Sequence, residues 1–592
     1  MPIAPWIRRA ALLATVWLGS CGGGSGVGSA IDPVATPSAT VERPATRSEA
    51  ARFLTQATFG PTDADIARVM AIGYGPWIDE QLALPAVAHR AHVEARDAEI
   101  RAANTINGAA GQDQVLESFW KQAITGPDQL RQRAAYALGQ IFVISMVDST
   151  VGDSANVRAL AAWQDMLGTT GLGTYRELLE AVSRHPLMGA YLSFLRNQKA
   201  DTRTGRVPDE NYAREVMQLF SIGLLELNED GSARTVGGQA VESYGAADVS
   251  GLARVFTGWS WACPSWPDNS CFSSGSLNGN SDPDRSFKSL LGYPAYHSTE
   301  EKRFLISTVP LQTVADPMAS LRTALDTLAA HPNVGPFIGR QIIQRLVTSN
   351  PSPAYVRDVA RTFANNGAGV RGDMKAVFKA VLMHPEARQM STSSGKLREP
   401  VLKLSAFLRA FPHGSDSGYF RVGNTDNPGT ALGQSPLRAS SVFNFYRPGY
   451  VAPGTASAAR NLVMPEMQLA NETSASGYVN FMRDNVASGV GQTNGTLNGV
   501  VLNRRDIQAD FGVELALANE PAALAARVVD KLIYGAGSAA LKAEIADAVG
   551  RIAVPTLAAN GSNQAAVEAA KRTRVNATVL LALASTEFSV QF

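Results

Sequence analysis

The chain has 592 residues, 45% hydrophobic, 18% charged and 7% aromatic, an apolar share that excludes a mostly disordered or collagen-like protein. Lysine and arginine total 53 against 52 acidic residues, so there is no broad basic field, and no nucleic-acid partner is expected. Three cysteines are too few for a disulfide scaffold.

Residues 1–20 read as a processing signal: Arg8 and Arg9 supply the positive end, and Ala10–Leu18 form an apolar stretch too short to span a bilayer. Leu18-Gly19-Ser20-Cys21 resembles the bacterial lipobox, which makes Cys21 the expected lipidation site and the membrane, through that anchor, the first expected partner. Glycine rather than aspartate at position 22 fits sorting to the outer membrane. Residues 21–46 are rich in Gly, Ser, Ala, Thr and Pro and bury too little to offset their ordering entropy, so they read as a flexible linker. No later stretch reaches membrane-spanning length.

From Ser48 onward the signals are helical. Thr46-x-x-Glu49 and Thr62-x-x-Asp65 resemble capping boxes. Leu130, Ala134, Ala137, Leu138, Ile141 and Phe142 recur at spacings of three and four, with Pro127 placed for a first turn. Comparable spacing continues to 569–584, and alternating strand patterns are scarce, which predicts an all-α fold with at most minor β structure. A main body is expected over 47–484, with irregular insertions at about 260–300 and 412–436. A turn-rich linker loop over 485–503, carrying Asn494-Gly495 and Asn498-Gly499, would then separate it from a C-terminal helical subdomain at 504–592. Three segments place a His-Pro pair between helices, at His185, His331 and His384. Proline ends one helix and starts the next, and the histidine is expected to meet the negative end of the preceding helix dipole, with metal binding the sharper alternative.

AARFLTQATFGPTDADIARVMAIGYGPWIDEQL opens the body, followed by QLRQRAAYALGQIFVIS at 129–145 and HPLMGAYLSFLRNQKADTRTGRVPDENYAREVMQLFSIGL at 185–224. DVSGLARVFTGWSW, YHSTEEKRFL, HPNVGPFIGRQIIQRLV, REPVLKLSAFLRAF and QSPLRASSVFNFYRPGY complete a series reaching residue 450. This succession resembles the bacterial domain-of-unknown-function 1800 family. The resemblance implies an exported or lipid-anchored, largely helical protein without an established activity. It also implies a possible partner among the co-encoded exported proteins that resemble sulfatases and phosphatases.

There is no G-x-S-x-G elbow, Walker A loop, HExxH or CxxC, and no cofactor or metal is expected. The richest polar constellation lies at 209–302. Asn211 opens a helix beside Asp209 and Glu210, Arg214 stands four residues after Glu210, and Asp248 precedes a helix leading through Arg254 to Thr257-Gly258-Trp259. His297 and Lys302 follow the insertion, with Ser298 where the family pattern has aspartate. As a catalytic site, Glu215 would act as base and His297 as acid or base, with Arg254, Arg214 and Lys302 binding an anion over Trp259. As structure, the same groups cap helices and pin the insertion to the body. Cys263 and Cys271, eight positions apart, are expected to pair in an oxidising envelope. Two functions remain open: a helical scaffold or binding protein for a surface polymer or exported protein, and a hydrolase or lyase acting on envelope polymers.

Overall fold

Local capping accounts for where the helices begin. In the computed structural model, which describes residues 41–103, 108–389, 394–497 and 500–591, Thr62 accepts from the Asp65 amide at 3.1 Å while the Asp65 carboxylate accepts from the Thr62 amide at 3.3 Å. Thr46 caps Arg47–Ala57 through the Glu49 amide, but Glu49 reaches back to the amide of Ala45 instead of Thr46. Cys21, the leader and the tether as far as Thr40 lie outside the described residues.

The His-Pro pairs do begin helices, although by different physics from that expected. In each, the imidazole Nδ1 accepts a backbone N–H two residues ahead: Leu187 for His185, Asn333 for His331 and Glu386 for His384. Each ring therefore caps the turn that follows it through the Nδ1 lone pair. Burial alone holds His185 down to about 3.

Helix follows helix from Arg47 to Ala584, and the strands form small antiparallel sheets of two or three, so the fold is predominantly all-α. Residues from Val41 onward form one compact unit. Its apolar core runs from Ala50 to Phe588 and includes Trp120, Trp163, Phe142 and Phe407. At its centre the helix Gln129–Gly139 is buried on nearly every face, between Arg47–Ala57, Val157–Thr169 and Val334–Leu346.

The expected linker over 485–503 is corrected. The helix Glu472–Ser488 runs into it, and Val490–Leu497 then pairs with Val500–Ala509, whose far end pairs with His413–Ser415 of the second insertion. Asn494, expected in a turn, sits in the strand with its side chain buried, donating to Asp506 at 3.0 Å. Asp506 also accepts from Ser415 Oγ and from the Ser417 and Arg421 amides. Register irregularities near Asn494 break the alternation that marks a strand in sequence. Asn498-Gly499 lies outside the described residues. The C-terminal helices share the main core, and Val590–Gln591 pairs with Lys396–Leu397.

Candidate functional site

The groups singled out at 209–302 fall into two places. On the short helix Asn211–Gln218, Asp209 accepts from the Asn211 amide at 2.8 Å and so caps the turn, while Asn211 Nδ2 donates to Ser193 Oγ at 3.3 Å. Arg214 pairs with Glu210 at 3.5 Å on the exposed side. Glu215 faces inward and is 9% exposed, and its Oε2 has no hydrogen-bond partner among the described residues. Burial pushes its carboxyl above the usual range against the pull of Arg214.

The second place joins the helix Ala246–Ala253 to the hairpin Lys302–Phe304/Ser307–Val309. Asp248 caps its helix by accepting from the Gly245 amide at 2.8 Å, and its other oxygen accepts from the Leu305 amide at 2.6 Å. Arg254 pairs with Glu300 at 3.0 Å and donates to the Glu301 carbonyl. His297 is fully buried, with Nδ1 2.7 Å from the Thr257 carbonyl and Nε2 2.9 Å from Ser320 Oγ. Burial holds it down to about 4, against the raising effect of its bond to Thr257, so the ring is neutral near pH 7. Lys302, also fully buried, donates to the Glu300 carbonyl at 3.1 Å, and burial holds it down to about 8.

Ser298 takes a bond from the Glu300 amide with its hydroxyl and gives its own amide to Thr257 Oγ1, a local turn that needs no carboxylate. Trp259 is 1% exposed and donates to the Val255 carbonyl, so it is core and offers no floor to a ligand. Gly258, at φ +77°, lets the strands meet: a Cβ there would lie 2.7 Å from the His297 nitrogen. Cys263 and Cys271 are joined by a disulfide. Arg254 and His297 do not shape the Glu215 environment, and none of the three lines a cavity described below. Asp248, Arg254 and His297 tie the end of the insertion and the hairpin after it to the body, and Glu215 takes no part in this.

A concave site lies elsewhere. A groove of about 450 Å³ runs between the helix Val334–Leu346, the segment 218–231 and the irregular segment 436–450. That volume falls within the range of small-molecule sites, typically about 300–1,000 Å³. Its walls are apolar: Leu224 and Leu225 are exposed, and Phe337, Val442, Phe443 and Pro448 are half-buried. Segment 436–450 carries neither helix nor strand and is held by its backbone. The Met146 amide donates to the Leu437 carbonyl at 2.7 Å, Ser145 Oγ to Ala439 at 2.6 Å and Gln344 Nε2 to Pro448 at 3.2 Å.

Three arginines line this groove, Arg340, Arg345 and Arg447. Among the described residues neither Arg340 nor Arg447 has a hydrogen bond or ion pair from its guanidinium, and Arg447 lies 4.5 Å over the Phe443 ring. Crowding by the walls pulls the Arg340 pKa below the usual value, with no carboxylate opposing it. Gln341 and Gln344 are buried in the floor, where Gln341 Nε2 and Gln344 Oε1 lack partners among the described residues.

Beneath the floor is a buried polar network. Glu399 Oε2 accepts from Gln140 at 2.5 Å, Gln434 at 2.6 Å and Tyr136 at 3.0 Å. Arg345 donates to the Gln140 carbonyl at 2.9 Å, while its own carbonyl accepts from Arg133 at 2.7 Å and Lys396 at 2.9 Å. Lys396 pairs with Glu466 at 2.8 Å, both side chains being at most 2% exposed. Gln140 lines the groove and also a smaller cavity of about 50 Å³ on the other side of residues 442–445.

Every segment of this assembly lies within residues 52–590, the span matched by the model of a family described as a protein of unknown function, DUF1800. The chain belongs to this family. No curated protein and no solved structure matches it. Arg133, Tyr136, Gln140, Gln344, Arg345, Glu399 and Gln434 all fall in family-like segments, yet sequence reasoning passed over them. A signal was present: Arg133 and Tyr136 on the helix and Gln140 at its C-cap are spaced i, i+3, i+7, which puts the three polar groups on one side.

Proposed function

We propose that this chain is a lipid-anchored envelope protein whose helical body binds a ligand in the groove over Val334–Leu346. The carrying observation is the pairing of apolar walls with two unpartnered guanidinium groups above a buried amide floor. The groove lining includes no carboxylate, histidine, cysteine or lysine, so it offers positioning and charge but no general acid or base. The lipobox at Cys21 supports an outer-membrane address, and a surface polymer or a co-encoded sulfatase- or phosphatase-like protein would be the source of the ligand. No helix of the described residues is long and apolar enough to cross a membrane.

The test uses the full chain expressed in a Gram-negative host. Wild type should carry an acylated Cys21 and fractionate with the envelope, and Cys21→Ala should lose both. Purified wild type should retain an envelope-derived small molecule that Gly449→Trp does not, because residue 449 lines the groove and a Cβ there meets nothing within 4 Å. Retention unchanged in Gly449→Trp would reject the groove as the site.

The second reading, hydrolysis or elimination on an envelope polymer, is favoured by one observation: the unpartnered, burial-raised carboxyl of Glu215. Polymer turnover lost in Glu215→Gln with the fold intact would establish it.

A further inference from the structure

We propose that the groove selects an amphipathic anion, a linear apolar chain of about a dozen carbons ending in a carboxylate or a phosphate; this rests on the groove being the binding site. The size follows from the space. A groove of about 450 Å³ suits a ligand on the small-molecule scale and not a folded partner. A twelve-carbon chain with its headgroup is on that scale.

The headgroup follows from charge. Of the three arginines in the lining, Arg345 is spent on the Gln140 and Gln341 carbonyls, leaving its Nε alone without a partner among the described residues. Arg340 and Arg447 are not, although each carries five donors in a planar fork suited to two oxygens at once. They stand on different segments of one groove, Arg340 on the helix and Arg447 on the irregular wall. Arg447 is oriented by its stacking on Phe443, at the boundary where an apolar chain would meet its polar end.

The tail follows from the walls. Leu224 is 57% and Leu225 37% exposed, and with Phe337 and Phe443 they offer a continuous apolar lining that a hydrocarbon would cover. Each methylene buried contributes about 0.8 kcal/mol. Among the described residues no carboxylate in the lining repels an incoming anion, whereas a cationic amphiphile would meet the like charges of the lining arginines, and a neutral one would form no ion pair with them.

The probes are dodecanoate, dodecyl phosphate, dodecanol and dodecyltrimethylammonium, titrated calorimetrically into the purified full chain below their micelle concentrations. Dodecanoate, dodecyl phosphate or both should bind, and comparing the two identifies the headgroup. The alcohol should be at least tenfold weaker and the ammonium undetectable. Arg340→Gln/Arg447→Gln should bring the anions down to the level of the alcohol, and Gly449→Trp should abolish all binding, with circular dichroism confirming that both variants fold. Alcohol and anions binding equally, with Gly449→Trp still blocking them, would overturn the anion assignment while leaving the groove as a binding site. Binding that survives Gly449→Trp would overturn the groove itself, and failure of every chain to bind would overturn the ligand class.

Discussion

Lys396→Met should destabilise the protein by about 3–5 kcal/mol, the usual cost of removing one partner from a buried ion pair. Lys396 Nζ lies 2.8 Å from Glu466 and 2.9 Å from the Arg345 carbonyl, and the two side chains are 0% and 2% exposed, so water cannot take the place of the lost cation. The second Glu466 oxygen already lacks a hydrogen-bond partner among the described residues. Glu466→Leu alone strands Lys396 in the same way and should cost a similar amount. Lys396→Met/Glu466→Leu removes both charges together and forfeits chiefly the hydrogen bond to Arg345, about 1–2 kcal/mol. Two single losses of at least about 3 kcal/mol set against that double loss give a coupling of at least about 4 kcal/mol. Urea-unfolding midpoints at pH 7, compared at a common denaturant slope, measure all four proteins. A double variant that loses the sum of its singles would refute the reasoning, because it would mean that each charge is solvated independently.

Acidification should destabilise the wild type between pH 6.5 and 4. His297 and His413 are held down to about 4 and His185 to about 3, so across that window the unfolded chain, with its histidines near 6.5, binds more protons, and stability rises with pH. The urea midpoint of His297→Gln should show a shallower pH slope, and an unchanged slope would count against the buried neutral ring. Glu215→Gln should shift stability the other way. Its raised carboxyl favours the fold when protonated, so the benefit of the amide over wild type should grow from pH 4 to pH 8 in the same assay. Cys263→Ser/Cys271→Ser removes a bridge closing eight positions, worth about 2.5 kcal/mol on the chain-entropy model, and should make 260–300 the first segment cut in limited proteolysis. Cleavage starting elsewhere would show that the loop is held by its packing.

Local rules were the legible part of this fold. Thr62, Asp248 and the His-Pro pairs are recognisable because a cap and the amide it serves lie within three residues of each other. The amphipathic spacing that marks Gln129–Gly139 was equally plain. What the sequence conceals is which polar residues leave the solvent face. Gln140 and Glu399 meet across 259 positions, and Arg133 and Arg345 across 212. On a helical wheel each reads as an ordinary hydrophilic position until the neighbouring helix covers it. The 209–302 cluster stood out for the opposite reason, since its charged residues are dense and close in sequence. That density reflects the number of caps and ties an irregular insertion needs to hold its backbone. The groove arginines gave no local sign, because an unpartnered guanidinium is defined by what fails to surround it.

The pairing of Val590–Gln591 with Lys396–Leu397 bears on the order of assembly. Gln591 Nε2 donates to the Leu346 carbonyl at 2.6 Å, at the end of the helix that floors the groove and beside the buried lysine. Sealing this part of the interior therefore waits on residue 591, brought back to a segment almost two hundred positions earlier. Cutting the chain before Val590 would leave an open seam there for proteases to enter.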